Sequence, residues 1–139
     1  MKPFVRSLIE IFNNSKVIAV IGFSENPARP SNRIGRYLAG NSFTVYGVNP
    51  VLKGKSVDDI ICYDSLINVP FKIDIVNIFR RSEFLTGIVN EVLMLKVRPS
   101  VIWTQYGVID SAAKDLALKN NIEYVENKCI MTEHQKLFL

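Results

Sequence analysis

The chain of 139 residues has one histidine, one tryptophan and two cysteines. Cys62 and Cys129 stand far apart, form no C-x-x-C pair and have only His134 for company. Neither a zinc site nor a disulfide framework is supported, and a reducing, cytoplasmic setting is expected. No apolar run approaches the ~20 residues of a membrane span. The N-terminal M-K-P-F-V-R-S-L-I-E-I-F lacks the apolar core and small-residue cleavage site of a secretion signal. Although the net charge is +4, no basic run exceeds two residues, so the continuous stripe of a nucleic-acid-binding face is missing. Repeats, linkers and low-complexity segments are missing too, and a chain this long can bury roughly two thirds of its unfolded surface. One domain over residues 1–139 is expected, with Val5, Leu8, Ile9 and Phe12 on one face of an N-terminal packing helix within 1–15.

What is present centres on K-V-I-A-V-I-G-F-S-E-N-P-A-R-P-S, Lys16 to Ser31. Five of its first six residues are apolar without alternation, the pattern of a strand covered on both faces. Gly22 breaks the run, and a helix is expected to follow. Ser31 is the expected N-cap, Pro30 resists an earlier start, and Ile34, Tyr37 and Leu38 share one helical face. Strand, glycine turn and helix make an anion site, because the helix terminus offers unpaired N–H groups and glycine lets a phosphate approach the backbone. Against the dinucleotide fingerprint G-x-G-x-x-G, Gly22 fits the first position, but Ser24 and Pro27 occupy the second and third. An ordinary β–α turn would also use glycine here. Arg29 and Arg33 argue otherwise, since cations at a helix start oppose its dipole unless an anion lies between them.

Further along, F-T-V-Y-G-V-N-P reads as a second strand ending at Asn49 and Pro50, where a nicotinamide-binding fold would carry an acidic residue for the ribose. NAD is demoted accordingly, though an ordinary turn explains Asn49-Pro50 equally well. Residues 51–70 are weakly patterned, with a K-G-K turn, a short strand within 57–63 and a helical turn over 65–69. Ile73 to Phe79 is a strand, and Ser82 is the expected cap of a helix burying Phe84, Leu85, Ile88, Val89, Val92 and Leu93. S-V-I-W-T-Q-Y-G-V is another strand, Asp110 or Ser111 caps the next helix, and Ile122 to Val125 closes the sheet. Residues 130–139 are expected as a short helical tail. Strands alternating with helices imply a Rossmann-like, doubly wound parallel sheet of about five strands, ordered 3-2-1-4-5. Arg29, Arg33 and Arg36, then Lys53 and Lys55, then Arg80 and Arg81 each follow a strand. In an open α/β sheet such ends share one edge, where a crevice forms. That favours a polyphosphate-bearing small molecule.

Together these residues resemble the small CoA-binding proteins, similar in fold to the CoA-binding domain of succinyl-CoA synthetase alpha subunits. The marks are A-V-I-G-F-S-E-N-P-A-R-P-S, V-N-P, F-R-R-S, W-T-Q-Y-G-V and C-I-M-T-E-H, in that order along nearly the whole chain; the departure is at K-S-V-D-D-I-I-C, which is longer than the usual connection. The resemblance implies coenzyme A or an acyl-CoA as ligand, bound along the glycine-loop edge. Gly22, Ser24, Arg29, Pro30 and Ser31 would hold phosphates, and Asn49, Pro50 and Lys53 would flank the nucleotide. Phe79 and Arg80 would border the crevice, while Gln105 and Gly107 would approach the pantetheine arm.

Candidates for chemistry are few. In the full synthetases a phosphorylated histidine lies in a further ligase domain, which these residues do not encode, and His134 is expected to be structural or at the surface. Cys129 could attack a thioester but is expected to be a structural thiol, and Asp58-Asp59 should face water. The expected protein is a ligand-binding module rather than an enzyme. Its rivals are an NAD(P)-dependent or other nucleotide-using enzyme, and a regulatory interaction domain whose ligand is vestigial and which associates tightly with a partner protein; a protein partner or a homo-oligomer is compatible with the sequence.

Overall fold

A computed structural model describes residues 6–139. Val5 of the expected N-terminal helix lies outside them. The helix itself, α1 (Leu8–Asn13), is closed by a capping box in which Ser7 and Glu10 satisfy each other's backbone N–H groups.

Seven strands form one sheet: β1 (Val17–Ile21), β2 (Thr44–Val48), β3 (Ser56–Val57), β4 (Ile60–Tyr63), β5 (Ile75–Ile78), β6 (Val101–Thr104) and β7 (Glu123–Val125). Their order is β3-β4-β2-β1-β5-β6-β7. All neighbours run parallel except the β3–β4 hairpin. Counting the parallel strands in chain order gives 3-2-1-4-5-6, so the expected arrangement is present and extended by one strand. Where one short strand was expected within 57–63 there is a hairpin of two, which adds antiparallel β3 at the sheet edge. Asp58 and Asp59 both take positive φ, 49° and 67°, which closes a two-residue hairpin that a glycine-free sequence does not advertise.

The continuous apolarity of β1 is explained by cover on both faces. On one side Ile18 and Val20 pack under α1, α2 (Pro30–Gly40) and α5 (Ile130–Phe138) with Phe12, Ile34 and Ile130. On the other, Ala19 and Ile21 pack under α3 (Leu85–Leu93) and α4 (Ser111–Lys119) with Leu85, Val89 and Ala117. Residues 130–139 are therefore less a tail than a third helix of the first layer. His134 on α5 is buried, and its Nδ1 lies 2.6 Å from the Tyr37 hydroxyl. The Phe12, Phe43 and Phe138 rings surround it.

Two helix starts differ from expectation. The N-cap of α2 is Arg29, Pro30 takes the first helical position, and Ser31 is buried in the first turn. Proline's fixed φ suits that position and its missing N–H costs nothing there, so it starts the helix earlier than serine would. Ser82 does not cap α3; it opens a 3-10 turn over Ser82–Phe84 ahead of it. Phe84, expected in the core, is 42% exposed, because that turn swings it outward beneath Arg80, whose guanidinium lies 4.4 Å from the ring centroid.

Candidate functional site

At its C-terminal edge β1 pairs with both β2 and β5, and the chain leaves toward opposite faces: α2 follows β1 and α3 follows β5. This is the switch point where open α/β sheets form a crevice. Gly22 takes φ +83°, and a Cβ there would stand 2.4 Å from the Phe79 carbonyl oxygen and 3.3 Å from the Arg80 side chain. Only glycine allows the two loops this approach.

The loop after Gly22 is held by its own side chains. Ser24 Oγ accepts from the Asn26 N–H at 3.1 Å, and Asn26 Oδ1 accepts from the Ala28 N–H at 3.0 Å. Asn32, fully buried in α2, donates to the Ser24 carbonyl at 2.8 Å and accepts from Arg36 Nε at 2.7 Å. Phe23 fills the space between helix and sheet: a Cβ at Gly35 or Gly47 would come within 2.8 or 2.6 Å of its ring. The close packing that a third fingerprint glycine gives elsewhere is thus supplied by Phe23 against Gly35 and Gly47. No side chain caps α2; Pro30 has no N–H, and the Asn32 and Arg33 N–H groups both reach the Arg29 carbonyl at 3.1 Å, which leaves the Ser31 N–H as the first-turn donor without a backbone partner.

Among the described residues, Arg29, Arg33 and Arg80 have no carboxylate partner. Of the other cations, Arg36 pairs with Asp58 at 3.8 Å, Lys55 with Glu25 at 3.5 Å and Arg81 with Glu83 at 3.5 Å, while Lys53 on the β2 side makes no ion pair among the described residues. Pro30, Arg33, Phe79, Arg80 and Gln105 line one cavity of about 630 Å3, closed on the α5 side by Cys129 and Thr132. A larger cavity of about 700 Å3 lies at the β7 edge. Its arginine, Arg6, is bound to Glu123 at 2.6 Å, and Lys114 and Lys128 also line it.

Of the residues selected from the sequence, Pro30, Phe79, Arg80 and Gln105 line the crevice, with Gly22 behind Phe79 and Arg80. Arg29 and Ser31 adjoin Pro30 at the helix start, and Ser24 braces the loop. Gly107 lies farther out with φ +79°, and nothing stands within 4 Å of the place a Cβ would take. Asn49, Pro50 and Lys53 form the β2 side, outside the cavity. The Asn49 amide is engaged internally, donating to the Phe23 carbonyl at 2.9 Å and accepting from the Val51 N–H at 3.1 Å.

Sequence reasoning missed the residues that hold the rim together. Buried Thr104 donates to the Val108 carbonyl at 2.7 Å and accepts from the Asn127 N–H at 2.9 Å, while Asn127 Oδ1 accepts from the Gly107 N–H at 2.8 Å. Ser82 Oγ accepts from the Ile109 N–H at 2.9 Å and donates to the Gly107 carbonyl at 3.2 Å. These loops lie far apart in sequence, so no local pattern marks the pairing.

Two titratable groups near the rim have shifted values. Burial pushes the Cys129 thiol up, but donors from Thr132, Gln105 and Met131 outweigh it and leave the thiol below its ordinary range. Burial lowers the His134 imidazole. Among the described residues no group of three or more His, Cys, Asp or Glu could hold a metal ion, and no helix is long and apolar enough to cross a membrane.

Comparison with known proteins bears on this geometry. The sequence model of a family described as a CoA binding domain matches residues 16–135. An uncharacterised Bacillus subtilis protein, YneT, is 30% identical over 135 residues, covering 95% of each chain. A Thermus thermophilus structure superposes with a TM-score of 0.89 at 30% identity, covering 94% of this chain and 96% of that one. A hypothetical protein from Pyrococcus horikoshii gives 0.86 at 30% identity, covering 94% and 89%.

Proposed function

The chain belongs to the CoA-binding domain family, and on that premise we propose that the rim between α2 and the loop after β5 binds coenzyme A or an acyl-CoA. The observation that carries the reading is the meeting of the uncapped start of α2 with Arg33 and Arg80 in one cavity, with Arg29 next to Pro30 as the residue before the helix, none of the three paired with a carboxylate among the described residues. Coenzyme A brings a pyrophosphate and a ribose phosphate. Gly22, Ser24, Arg29, Pro30 and Ser31 hold phosphate, and Arg80, braced on Phe84 and bordered by Phe79, closes over it. Asn49, Pro50 and Lys53 flank the nucleotide, with Asn49 acting mainly by fixing the turn. Gln105 and Gly107 receive the pantetheine arm. Each charge-assisted contact contributes roughly 1.5–3 kcal/mol, so three at the upper end of that range reach the roughly 8 kcal/mol of micromolar affinity. Binding, rather than chemistry of its own, is the proposed role, in a cytoplasmic setting.

Thermal unfolding with coenzyme A, acetyl-CoA, NAD and NADP tests this. The first two should stabilise the protein by about 2.7 kcal/mol at a hundredfold excess over the dissociation constant, with little effect from the others. A larger shift with NAD or NADP would replace the reading by that of a nicotinamide enzyme. No shift with any ligand would point to an interaction domain.

A further inference from the structure

Cys129 forms the crevice wall opposite the arginines. It is 6% exposed, stands immediately before α5 as its N-cap residue, and lines the cavity beside Gln105 and Thr132. The charged groups around it are Arg33 from α2, Arg80 and Arg81 from the loop after β5, and Lys128 and Glu133 on its own segment. Cys62, by contrast, is fully buried, and burial with the nearby Glu25 pushes its thiol up.

A second observation points to a ligand at the same place. Gln105 lines the cavity together with Cys129 and is 9% exposed, yet its Oε1 has no hydrogen-bond partner among the described residues. An unpartnered acceptor so deeply buried is costly, and a ligand donor would remove the cost. An arm bearing amide N–H groups and ending in sulfur would satisfy Gln105 and bring that sulfur beside Cys129.

We propose that Cys129 is a covalent docking point for the thiol end of the ligand, captured by exchange with a coenzyme A disulfide. The sulfur of Cys129 bonds to one ligand sulfur, the incoming S–S bond breaks, and the second thiol departs as thiolate with the electron pair. One thiolate and one disulfide stand on each side of the step, so no further oxidant is needed. Exchange is favoured over acyl capture because attack on a thioester builds an oxyanion that needs its own donors. The inference rests on the proposed coenzyme A reading.

Reduced protein incubated with coenzyme A disulfide at neutral pH, followed by intact and peptide mass analysis, tests it. One coenzyme A should attach, at Cys129, and be released by dithiothreitol. Attachment should be about tenfold faster or more than with the small disulfide of 2-mercaptoethanol, because binding places the sulfur. Cys62→Ser should form the adduct and Cys129→Ser should not; peptide mapping of the wild-type protein gives the same information if a variant folds poorly. Absence of an adduct, an adduct on Cys62, or equal rates with the two disulfides would each overturn the inference. The unfolding shift with reduced coenzyme A separates the failures. A shift without an adduct leaves ligand binding intact and removes only covalent capture; no shift and no rate preference removes both.

Discussion

Gly22 and Gly107 share a positive φ but not a reason for being glycine. At Gly107 nothing lies within 4 Å of a Cβ position, so Gly107→Ala carries only the left-handed backbone penalty, about 1–2 kcal/mol. At Gly22 the same penalty adds to a 2.4 Å clash with the Phe79 carbonyl, and Gly22→Ala should destabilise by roughly 3 kcal/mol or more. Denaturant unfolding of both variants checks the difference; equal losses would mean that the two loops do not depend on contact at Gly22. The sequence marked both glycines as turn residues, but only the fold reveals that Phe79 abuts the first. Asn32 shows the reverse case: a polar residue on the inner face of a helix looks like an error in the pattern until its two hydrogen bonds are seen.

Among the elements, α2 and α5 define the site between them. The start of α2 was legible within two residues from the break after Gly22 and the apolar face that follows, but Pro30, read as a block to an earlier start, is itself the first helical residue. The role of α5 was not, since its packing depends on aromatic rings from three distant segments gathering around His134. That packing makes a pH signature. Burial lowers the folded-state value of His134 below its ordinary 6.5, so between the two values the unfolded chain binds a proton that the folded chain excludes. Stability is therefore fully present above pH 6.5 and is lost as pH falls through 6.5 toward the lowered value. Unfolding free energies measured from pH 7.5 to 5 should decline, and His134→Phe should flatten this part of the profile. A slope unchanged in the variant would show that another group is responsible.

At the scale of the whole molecule, the sheet brings into register residues that the sequence separates by dozens of positions. Parallel strands and helical crossovers follow from apolar runs and handedness, so the doubly wound order was legible from pattern alone. The β3–β4 hairpin was not, because Asp58-Asp59 adopt a conformation usually marked by glycine. The rim was legible as scattered basic residues. Which of them remain available was not, since Asp58 and Glu25, the partners of Arg36 and Lys55, come from other loops; only the Arg81–Glu83 pair is local.

The central claim is that the unpaired arginines and the start of α2 act together on one phosphorylated ligand. Isothermal titration of coenzyme A into the wild-type protein and into Arg29→Ala and Arg80→Ala measures this most directly. Each substitution should weaken binding about tenfold or more with the fold intact, in line with the loss of one charge-assisted contact. Wild-type affinity in both variants would contradict the account.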